Sequence, residues 1–467
     1  MISVEKYKNQ KILILGYGIV GKATSKSLLK GFADVFIWDD VLEKRNEAKR
    51  NGLKILDINI ENPLKNISAI IVSPGISHLY PKPHFLIKIA LNESIEIDND
   101  ISLFFQSFNN HLSFKKSSKV ICITGTNGKS STCHLLNHIL KKFNYDTEIG
   151  GNFGKAALSL LPQKSGSIKI LEVSSYQLEI AKKIKSDISA LVNFSSDHFD
   201  RHSGRGGYFS SKLNLFLKNN SKNSVINVNN NEGMFLENKV SNEKKKKNRV
   251  ITFSTNKSLK GRSWSVFLEK EFLYEFKNGK EIIKFDLKKI ETFNNTYDYE
   301  NLFVAYSICR LMKLPPETII ESLKGFKGLK HRNQFLGKVN GVSFVNDSKA
   351  TNFSSAVKSI KSNKNIRLIL GGKSKSESIS EYLKDFGNVK SIYLIGSSSK
   401  EFSKFLEKFC FKVCNNLDIA TKTAFEEAIE GDSVLLAPAC SSFDQFKSFE
   451  ERGEMFIRIF HNIKKSF

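Results

Sequence analysis

Val120-Ile-Cys-Ile-Thr-Gly-Thr-Asn-Gly-Lys-Ser-Ser131 is the stretch whose reading decides the fold. An apolar strand pattern runs into a glycine-bearing loop. A helical pattern follows, with its apolar stripe on Leu135, Leu136, Ile139 and Leu140. Strand, loop and helix in this order cradle phosphate groups. Gly125 and Gly128 let backbone N–H groups approach an anion, and the helix N-terminus adds partial positive charge. Lys129 reaches terminal phosphates, and Ser130 can hold Mg²⁺. The pattern departs from GxxxxGK(S/T) in one place, because Ile123 stands where the first glycine would be. The context still predicts a nucleotide site built from Gly125, Thr126, Asn127, Gly128, Lys129, Ser130 and Ser131.

On either side the chain alternates short apolar strands with helical patterns, the form taken by parallel α/β units. Upstream, Ile12 to Leu15 reads as a buried strand, Gly16 to Gly21 as a tight loop and Lys22 to Lys30 as a helix. The sequence turns polar and small over residues 108–118, which marks a first boundary. In the central block, strands are expected at Ile168 to Val173, Ile188 to Phe194 and Ser224 to Val228. The irregular part through Lys244 and Trp264 reads as extra sheet at the domain's edge. A helix is expected from Tyr299 to Met312, and Gly328 to Arg332 reads as a linker. Strand signals return at Val342 to Val345, Ile366 to Leu370, Ser391 to Ile395 and Ser433 to Ala437. At 467 residues the chain is too long for a single core. The expectation is an α/β fold in three domains. These are a Rossmann-like N-terminal domain over 1–116, a P-loop-type central ATPase domain over 117–328 and a Rossmann-like C-terminal domain over 329–467.

The formal charge is +25, from 72 basic and 47 acidic residues. Such an excess can mark a nucleic-acid partner. Its distribution argues otherwise: the lysines are spread along the chain, and the one dense run, Lys244 to Lys247, has no aromatic-interleaved RNA-binding signature. A compositional bias toward Lys, Asn, Ile and Phe explains the excess, and no nucleic-acid partner is expected. No window approaches the ~20 apolar residues of a membrane span, and Met1 to Gln10 lacks the apolar core of a signal peptide. A cytoplasmic chain without membrane insertion is therefore expected. Cys122, Cys133, Cys309, Cys410, Cys414 and Cys440 contain no CxxC pair and read as reduced, structural thiols.

Further motifs follow the loop in order. They are Leu171-Glu-Val-Ser-Ser-Tyr-Gln-Leu178, Asn193-Phe-Ser-Ser-Asp-His-Phe-Asp-Arg201 and Tyr208-Phe-Ser-Ser-Lys-Leu213. Gly328-Leu-Lys-His-Arg332, Val345-Asn-Asp-Ser-Lys-Ala-Thr-Asn352 and Leu370-Gly-Gly-Lys-Ser-Lys-Ser376 come next. Last is Leu436-Ala-Pro-Ala-Cys-Ser-Ser-Phe-Asp-Gln-Phe-Lys-Ser-Phe-Glu-Glu-Arg-Gly453. With Gly125-Thr-Asn-Gly-Lys-Ser130, these motifs resemble the Mur ligase family, and the last four resemble its D-glutamate-adding branch.

The resemblance implies a monomeric, ADP-forming ligase of peptidoglycan precursor synthesis that uses ATP and Mg²⁺. Its partners would be UDP-N-acetylmuramoyl-L-alanine and D-glutamate. It implies Ser130, Glu172 and His198 as magnesium ligands, joined by Lys212 after carbamylation with CO₂, and Lys129, His198 and Lys212 as the catalytic set. Carbamylation requires a neutral amine, and from a reference pKa of about 10.4 deprotonation at pH 7 costs roughly 4.6 kcal/mol. Asn301, Arg332, Asp347 and Lys349 would contact ATP, while Thr351, Lys375, Ser442 and Phe449 would form the D-glutamate pocket. Taken alone, Lys212 reads as a surface lysine and Phe449 as a core aromatic. His198 and His202 could instead begin a zinc site, but no third and fourth ligand stand at suitable spacing.

Gly16-Tyr-Gly-Ile-Val-Gly21 is a GxGxxG, with Asp39 or Asp40 near the distance of a ribose acid, which alone suggests NAD. An oxidoreductase would leave the phosphate loop unexplained. By resemblance this turn receives the UDP part of the substrate, at Gly18, Ile19, Val20, Asp40 and Gly75, with Asn152 at the sugar end. Two departures stand out. Relatives carry Thr-Arg where this chain has Asp40-Val41, and of a His-Asn-x-x-Asn motif only Asn301 remains, Tyr297 and Asp298 taking the first two places. The nearest rival, a sister ligase accepting L-alanine, a diamino acid or folate, is disfavoured by Ser442-Phe-Asp-Gln-Phe-Lys447.

Overall fold

The computed structural model describes residues 1–108, 118–162, 165–197, 199–217, 220–243, 249–290, 296–326, 328–374 and 378–467. One compact unit comprises Met1–Ile290 and Tyr299–Phe326, and a second spans Lys327–Phe467.

The first unit opens with β1 (Lys11–Leu15), α1 (Ile19–Lys30), β2 (Asp34–Trp38), α2 (Leu42–Arg50), β3 (Lys54–Ile55) and β4 (Ile67–Val72). Then come α3 (Phe85–Asn92), β5 (Glu96–Asp98) and α4 (Asp100–Phe108). All pairings in its sheet, ordered β3-β2-β1-β4-β5, are parallel. Ile12 to Leu15 are buried, as unbroken apolar runs in parallel sheets require. The expected loop Gly16 to Gly21 is shorter than the sequence suggested, because α1 already begins at Ile19 with Gly18 as its N-cap. A Cβ at Gly21 would lie 1.9 Å from Gly16 O, so the missing side chain lets the helix press directly on the turn.

The same unit continues with β6 (Lys119–Thr124), α5 (Lys129–Lys142), β7 (Thr147–Gly151), β8 (Ile168–Glu172), α6 (Ser175–Ile180) and β9 (Ser186–Leu191). After these come α7 (Arg205–Leu213), β10 (Ser221–Asn227), α8 (Asn231–Glu243), β11 (Val250–Ser254) and β12 (Trp264–Glu269). β13 (Phe272–Lys277), β14 (Lys280–Asp286), α9 (Thr296–Leu311) and α10 (Pro316–Glu321) complete it. The nine-stranded sheet runs β14-β13-β12-β11-β10-β9-β6-β8-β7. It is parallel from β7 to β12, and β13 and β14 extend it antiparallel at the edge where extra sheet was expected. Lys244 to Lys247 lie outside the described residues.

One hydrophobic cluster runs through both sheets, joining Ile14, Ile37, Phe104 and Phe105 to Val120, Leu171 and Leu178. A buried polar seam accompanies it. Asn99 Nδ2 donates to Gln177 O at 2.7 Å, and Gln177 Nε2 lies 3.1 Å from both carboxylate oxygens of Asp100.

The second unit contains β15 (Gln334–Val339), β16 (Val342–Asn346), α11 (Phe353–Ser362), β17 (Ile366–Gly371) and β18 (Val389–Ile395). It ends with α12 (Ser399–Ser403), β19 (Phe411–Asn415), α13 (Leu417–Glu426), β20 (Ser433–Leu436) and α14 (Phe449–Ser466). Its sheet runs β15-β16-β20-β17-β18-β19, antiparallel only between β15 and β16. The C-terminal ends of β16, β20 and β17 are therefore neighbours, and ligands in such sheets bind beyond those ends.

Helix α9, which carries Asn301, is pinned by Glu275 of β13. The fully buried Glu275 carboxylate accepts from Trp264 Nε1 at 2.9 Å, from Tyr306 OH, and from Arg310 Nε at 2.8 Å. Removing one partner of a buried pair leaves the other uncompensated, so Glu275→Gln should destabilise the first unit by about 3–5 kcal/mol in urea unfolding. A loss below about 1 kcal/mol would mean that the pair does not hold the helix.

Candidate active site

Strand β6 delivers the phosphate loop at its C-terminal end, and the end of β9 supports it from below. Thr126 N donates to Asn193 O at 3.1 Å and Asn127 N to Asn193 Oδ1 at 2.9 Å. Thr126 Oγ1 accepts from Ser195 N at 3.0 Å and lies 3.1 Å from Tyr208 OH. Gly128, with φ +80°, caps α5, and a Cβ there would fall 2.3 Å from Asn301 Oδ1. Any side chain at this position is therefore both strained and blocked. Thr132 Oγ1 bridges Gly128 O at 2.9 Å and Asn301 Oδ1 at 3.0 Å. Asn301 is thus placed under the loop, at the root of the helix that Ser130 and Ser131 begin.

Lys129 Nζ donates to Gly125 O at 3.0 Å and Thr126 O at 2.8 Å. Lys212, on α7, donates to the same Gly125 O at 3.1 Å. Lys212 is 2% exposed, which corrects the surface-lysine reading. Burial, reinforced by the charge of Lys129 and opposed by Asp197, holds its amine well below the usual lysine pKa. The neutral form that cost several kcal/mol by sequence reasoning is here favoured by the fold itself.

Glu172 ends β8 as a buried residue, and Ser130 Oγ donates to its Oε2. Asn152 follows β7; its N donates to Glu172 O at 2.8 Å and its Nδ2 to Glu172 Oε1 at 3.4 Å. Among the described residues, no Lys, Arg or His forms an ion pair with this carboxylate. A buried anion with only neutral partners beside a hydroxyl oxygen fits a hard divalent cation whose other positions come from phosphate and water. His198 lies outside the described residues. His202 is turned elsewhere: its Nε2 is 2.9 Å from Ser175 Oγ, and its ring stacks on Tyr176 at 5.2 Å.

The glycine turn of the N-terminal sheet exposes Gly18 and Ile19 at the start of α1, with Val20 half-buried behind them. Ser73 Oγ donates to Gly16 O at 2.8 Å, which ties the loop containing Gly75 to the turn. Asp39 is the acid that meets the turn, its Oδ2 accepting from Tyr17 N at 2.7 Å. Asp40 instead pairs with His84 Nε2 at 3.0 Å. Arg201, just beyond the His198 segment, donates to Ile76 O at 2.9 Å and covers the Tyr176 ring at 4.7 Å. This links the Gly75 loop to the helix that follows Glu172.

In the second unit three loops converge beyond β16, β17 and β20. Asp347 follows β16, is buried, and accepts a hydrogen bond from the Ser359 hydroxyl. Burial pushes its carboxyl up to about 6, against the opposing effects of Ser359, Arg332 and Lys349. Thr351 N donates to Lys349 O at 2.8 Å, and Lys349 Nζ lies 3.9 Å above the Phe449 ring. Phe449 is only half-buried and starts α14, so it is not a core aromatic. Ser442 is buried, its carbonyl accepting from Gln445 N and Phe446 N at 3.1 and 2.8 Å. Lys373 and Ser441 form a backbone bridge that joins the loop after β17 to the loop after β20. His331 is buried against Asn346 and Gly453, which anchors the chain beside Arg332 to this unit. Lys375 and the side chains of Tyr297 and Asp298 lie outside what is described.

Sequence reasoning missed Asn193, Tyr208 and Glu300 as loop supports. Glu300 accepts from Asn193 Nδ2 at 2.8 Å and from Asn227 and Asn229 at 3.2 Å. Asn193 and Tyr208 stood inside quoted motifs, yet only the folded chain shows what they hold.

Residues 123–301 match the Mur ligase middle domain, and residues 331–440 match the Mur ligase glutamate ligase domain. UDP-N-acetylmuramoylalanine--D-glutamate ligase of Cereibacter sphaeroides is 39% identical over 98% of this chain and 98% of its own. The enzyme of the same name from Ruegeria pomeroyi is 38% identical, with the same coverage. The fold is shared with MurF ligase from Thermotoga maritima in complex with ADP, at 15% identity and TM-score 0.59, over 100% of this chain and 97% of that one. UDP-N-acetylmuramate-alanine ligase MurC of the same organism matches at 15% identity and TM-score 0.57, over 97% and 100%. Full-length likeness at this level and two matched domains in the expected order place the chain in the Mur ligase family.

Proposed function

We propose that this chain is the ATP-dependent ligase that adds D-glutamate to UDP-N-acetylmuramoyl-L-alanine in peptidoglycan precursor synthesis. The observation that carries the chemistry is the buried amine of Lys212 beneath the phosphate loop, sharing Gly125 O with Lys129. A neutral lysine amine adds to CO₂ and becomes an anionic ligand, which a surface lysine at pH 7 does not readily do.

In this reading the backbone of Gly125 to Ser131 and Lys129 bind the ATP phosphates. Ser130, Glu172, His198 and Lys212, once carbamylated, would hold Mg²⁺, which would supply positive charge against the phosphate being transferred. Gly18, Ile19, Val20 and Gly75 receive the UDP portion of the substrate, and Asn152, beside Glu172, orients its far end. Asp40 would join them, although its bond to His84 must then be shared. The substrate carboxylate attacks the γ-phosphate, ADP leaves, and an acyl phosphate forms. The D-glutamate amine, presented by Thr351, Lys375, Ser442 and Phe449, attacks the activated carbonyl, and phosphate departs as the amide forms. Asn301, Arg332, Asp347 and Lys349 complete the nucleotide contacts.

In this reading carboxylate activation and amine presentation belong to different units, and both must act on one substrate. The same reading makes the enzyme a cytoplasmic monomer. Among the described residues, no helix is long and apolar enough to cross a membrane.

Three measurements test this function. Phosphate release from ATP with UDP-N-acetylmuramoyl-L-alanine should occur with D-glutamate and not with L-glutamate, L-alanine or meso-diaminopimelate. Turnover with another of these would move the pocket assignment, and none at all would end the ligase reading. Labelling with ¹³C-bicarbonate should give a carbamate resonance that Lys212→Gln lacks; an identical spectrum in both proteins would remove carbamylation from the mechanism. The third concerns Asp347. An acid whose folded pKa is raised to about 6 contributes stability when protonated, below about pH 4, and loses it as pH rises through 6. At pH 7.5 the buried anion then costs on the order of 2–3 kcal/mol. Asp347→Asn should therefore raise the thermal midpoint at pH 7.5, with the gain vanishing near pH 4, while ATP binding weakens. A variant no more stable than wild type at pH 7.5 would contradict the assignment.

A further inference from the structure

His202, too isolated in sequence to make a zinc site, is 1% exposed and belongs to a row of side chains inside the first unit. Its ring stacks on Tyr176 of α6 at 5.2 Å, the planes 12° apart, and lies 5.4 Å from the ring of Tyr208 on α7. The Arg201 guanidinium covers the Tyr176 ring at 4.7 Å, and the Lys212 amine stands 4.4 Å from the centre of the Tyr208 ring. Arg201, Tyr176, His202, Tyr208 and Lys212 therefore follow one another in contact. Both ends reach site elements: Arg201 Nη2 donates to Ile76 O at 2.9 Å in the Gly75 loop, and Tyr208 OH is 3.1 Å from Thr126 Oγ1 in the phosphate loop.

The middle member meets the elements that carry Glu172 and Lys212. His202 Nε2 is 2.9 Å from Ser175 Oγ, just past Glu172, while its ring packs on Tyr208, one turn before Lys212. Hydrogen bonding does not explain an imidazole at this place. Nδ1 has no hydrogen-bond partner among the described residues, and Glu179 Oε1 stays 3.5 Å away. A buried ring with one nitrogen idle is held by its faces, through dispersion and aromatic quadrupoles. What the position uses is a flat ring that fixes Tyr176 and Tyr208 relative to each other.

We propose that His202 is a positioning residue: through Tyr208 it sets the Lys212 amine and Thr126, and through Tyr176 and Ser175 it holds them in register with the start of α6 and the Gly75 loop. The inference rests on the reading of Glu172 and Lys212 as partners in the ligase reaction and adds the residue that spaces them. Its ring acts only through these neighbours, and a displacement of about 1 Å at a reacting group costs on the order of a hundredfold in rate.

The test uses the full-length enzyme, steady-state phosphate release per folded enzyme, and the ¹³C-bicarbonate spectrum. His202→Gln keeps a polar partner for Ser175 and removes the ring; it should lower kcat about tenfold to a hundredfold. KM for D-glutamate, which the second unit binds, should stay unchanged, and the Lys212 carbamate resonance should weaken or move. His202→Phe keeps the ring and gives up the Ser175 bond, and it should recover most of the rate and the wild-type resonance. A wild-type kcat and spectrum in His202→Gln, or equal losses in the two variants, would overturn the proposal and leave His202 a packing residue. Where His202→Gln does not fold, Tyr176→Leu against Tyr176→Phe decides: a fall in kcat with leucine that phenylalanine largely avoids supports the proposal, and equal values refute it. A wild-type enzyme without ligase turnover would defeat the underlying reading as well; an active one with an unaffected His202→Gln defeats the inference alone.

Discussion

Two lysines share one carbonyl oxygen at the centre of the first unit, and the rest of the site depends on how that crowding is resolved. Lys129 and Lys212 both reach Gly125 O, one from the helix that follows the loop and the other from a helix far along the chain. Burial, with the nearby charge of Lys129, lowers the Lys212 pKa and disfavours its ammonium form. The loop is therefore linked to α7 through a lysine whose charge is disfavoured where it sits. The same α7 presents Tyr208 to Thr126, so the segment that tunes the lysine also sets the shape of the phosphate cradle.

The sheets were legible because parallel strands buried on both faces are written as unbroken apolar runs ending in glycine or small polar residues. Ile12 to Leu15 and Val120 to Thr124 are of this kind. The start of α1 at Ile19 was not legible, since an exposed Ile19 and a glycine at its N-cap carry no helix signal. The residues expected to meet ligand were named through motif resemblance. Their supports were not, because Asn193, Tyr208 and Glu300 meet the loop only after the chain has folded around it. Arginine is seldom fully buried, so nothing in Glu450-Glu-Arg-Gly453 hinted that Arg452 would be.

Both ends of the linker are informative. Read from sequence as running through Arg332, it ends earlier, because His331 packs into the space left by the missing side chain of Gly453 and its carbonyl accepts from Lys349 N at 3.1 Å. The chain beside Arg332 and Lys349 is thereby tied together within the second unit.

The hydrophobic cluster that spans both sheets of the first unit bears on how the chain can be cut. Phe104 and Phe105 in α4 belong to it together with Leu171 and Leu178 beyond β6, and Gln177 closes the polar seam with Asn99 and Asp100. A fragment ending near residue 116 would carry a complete strand order but half an interior. As an isolated module it would present Phe104 and Phe105 and the Asp100 carboxylate, which Gln177 otherwise meets, to water.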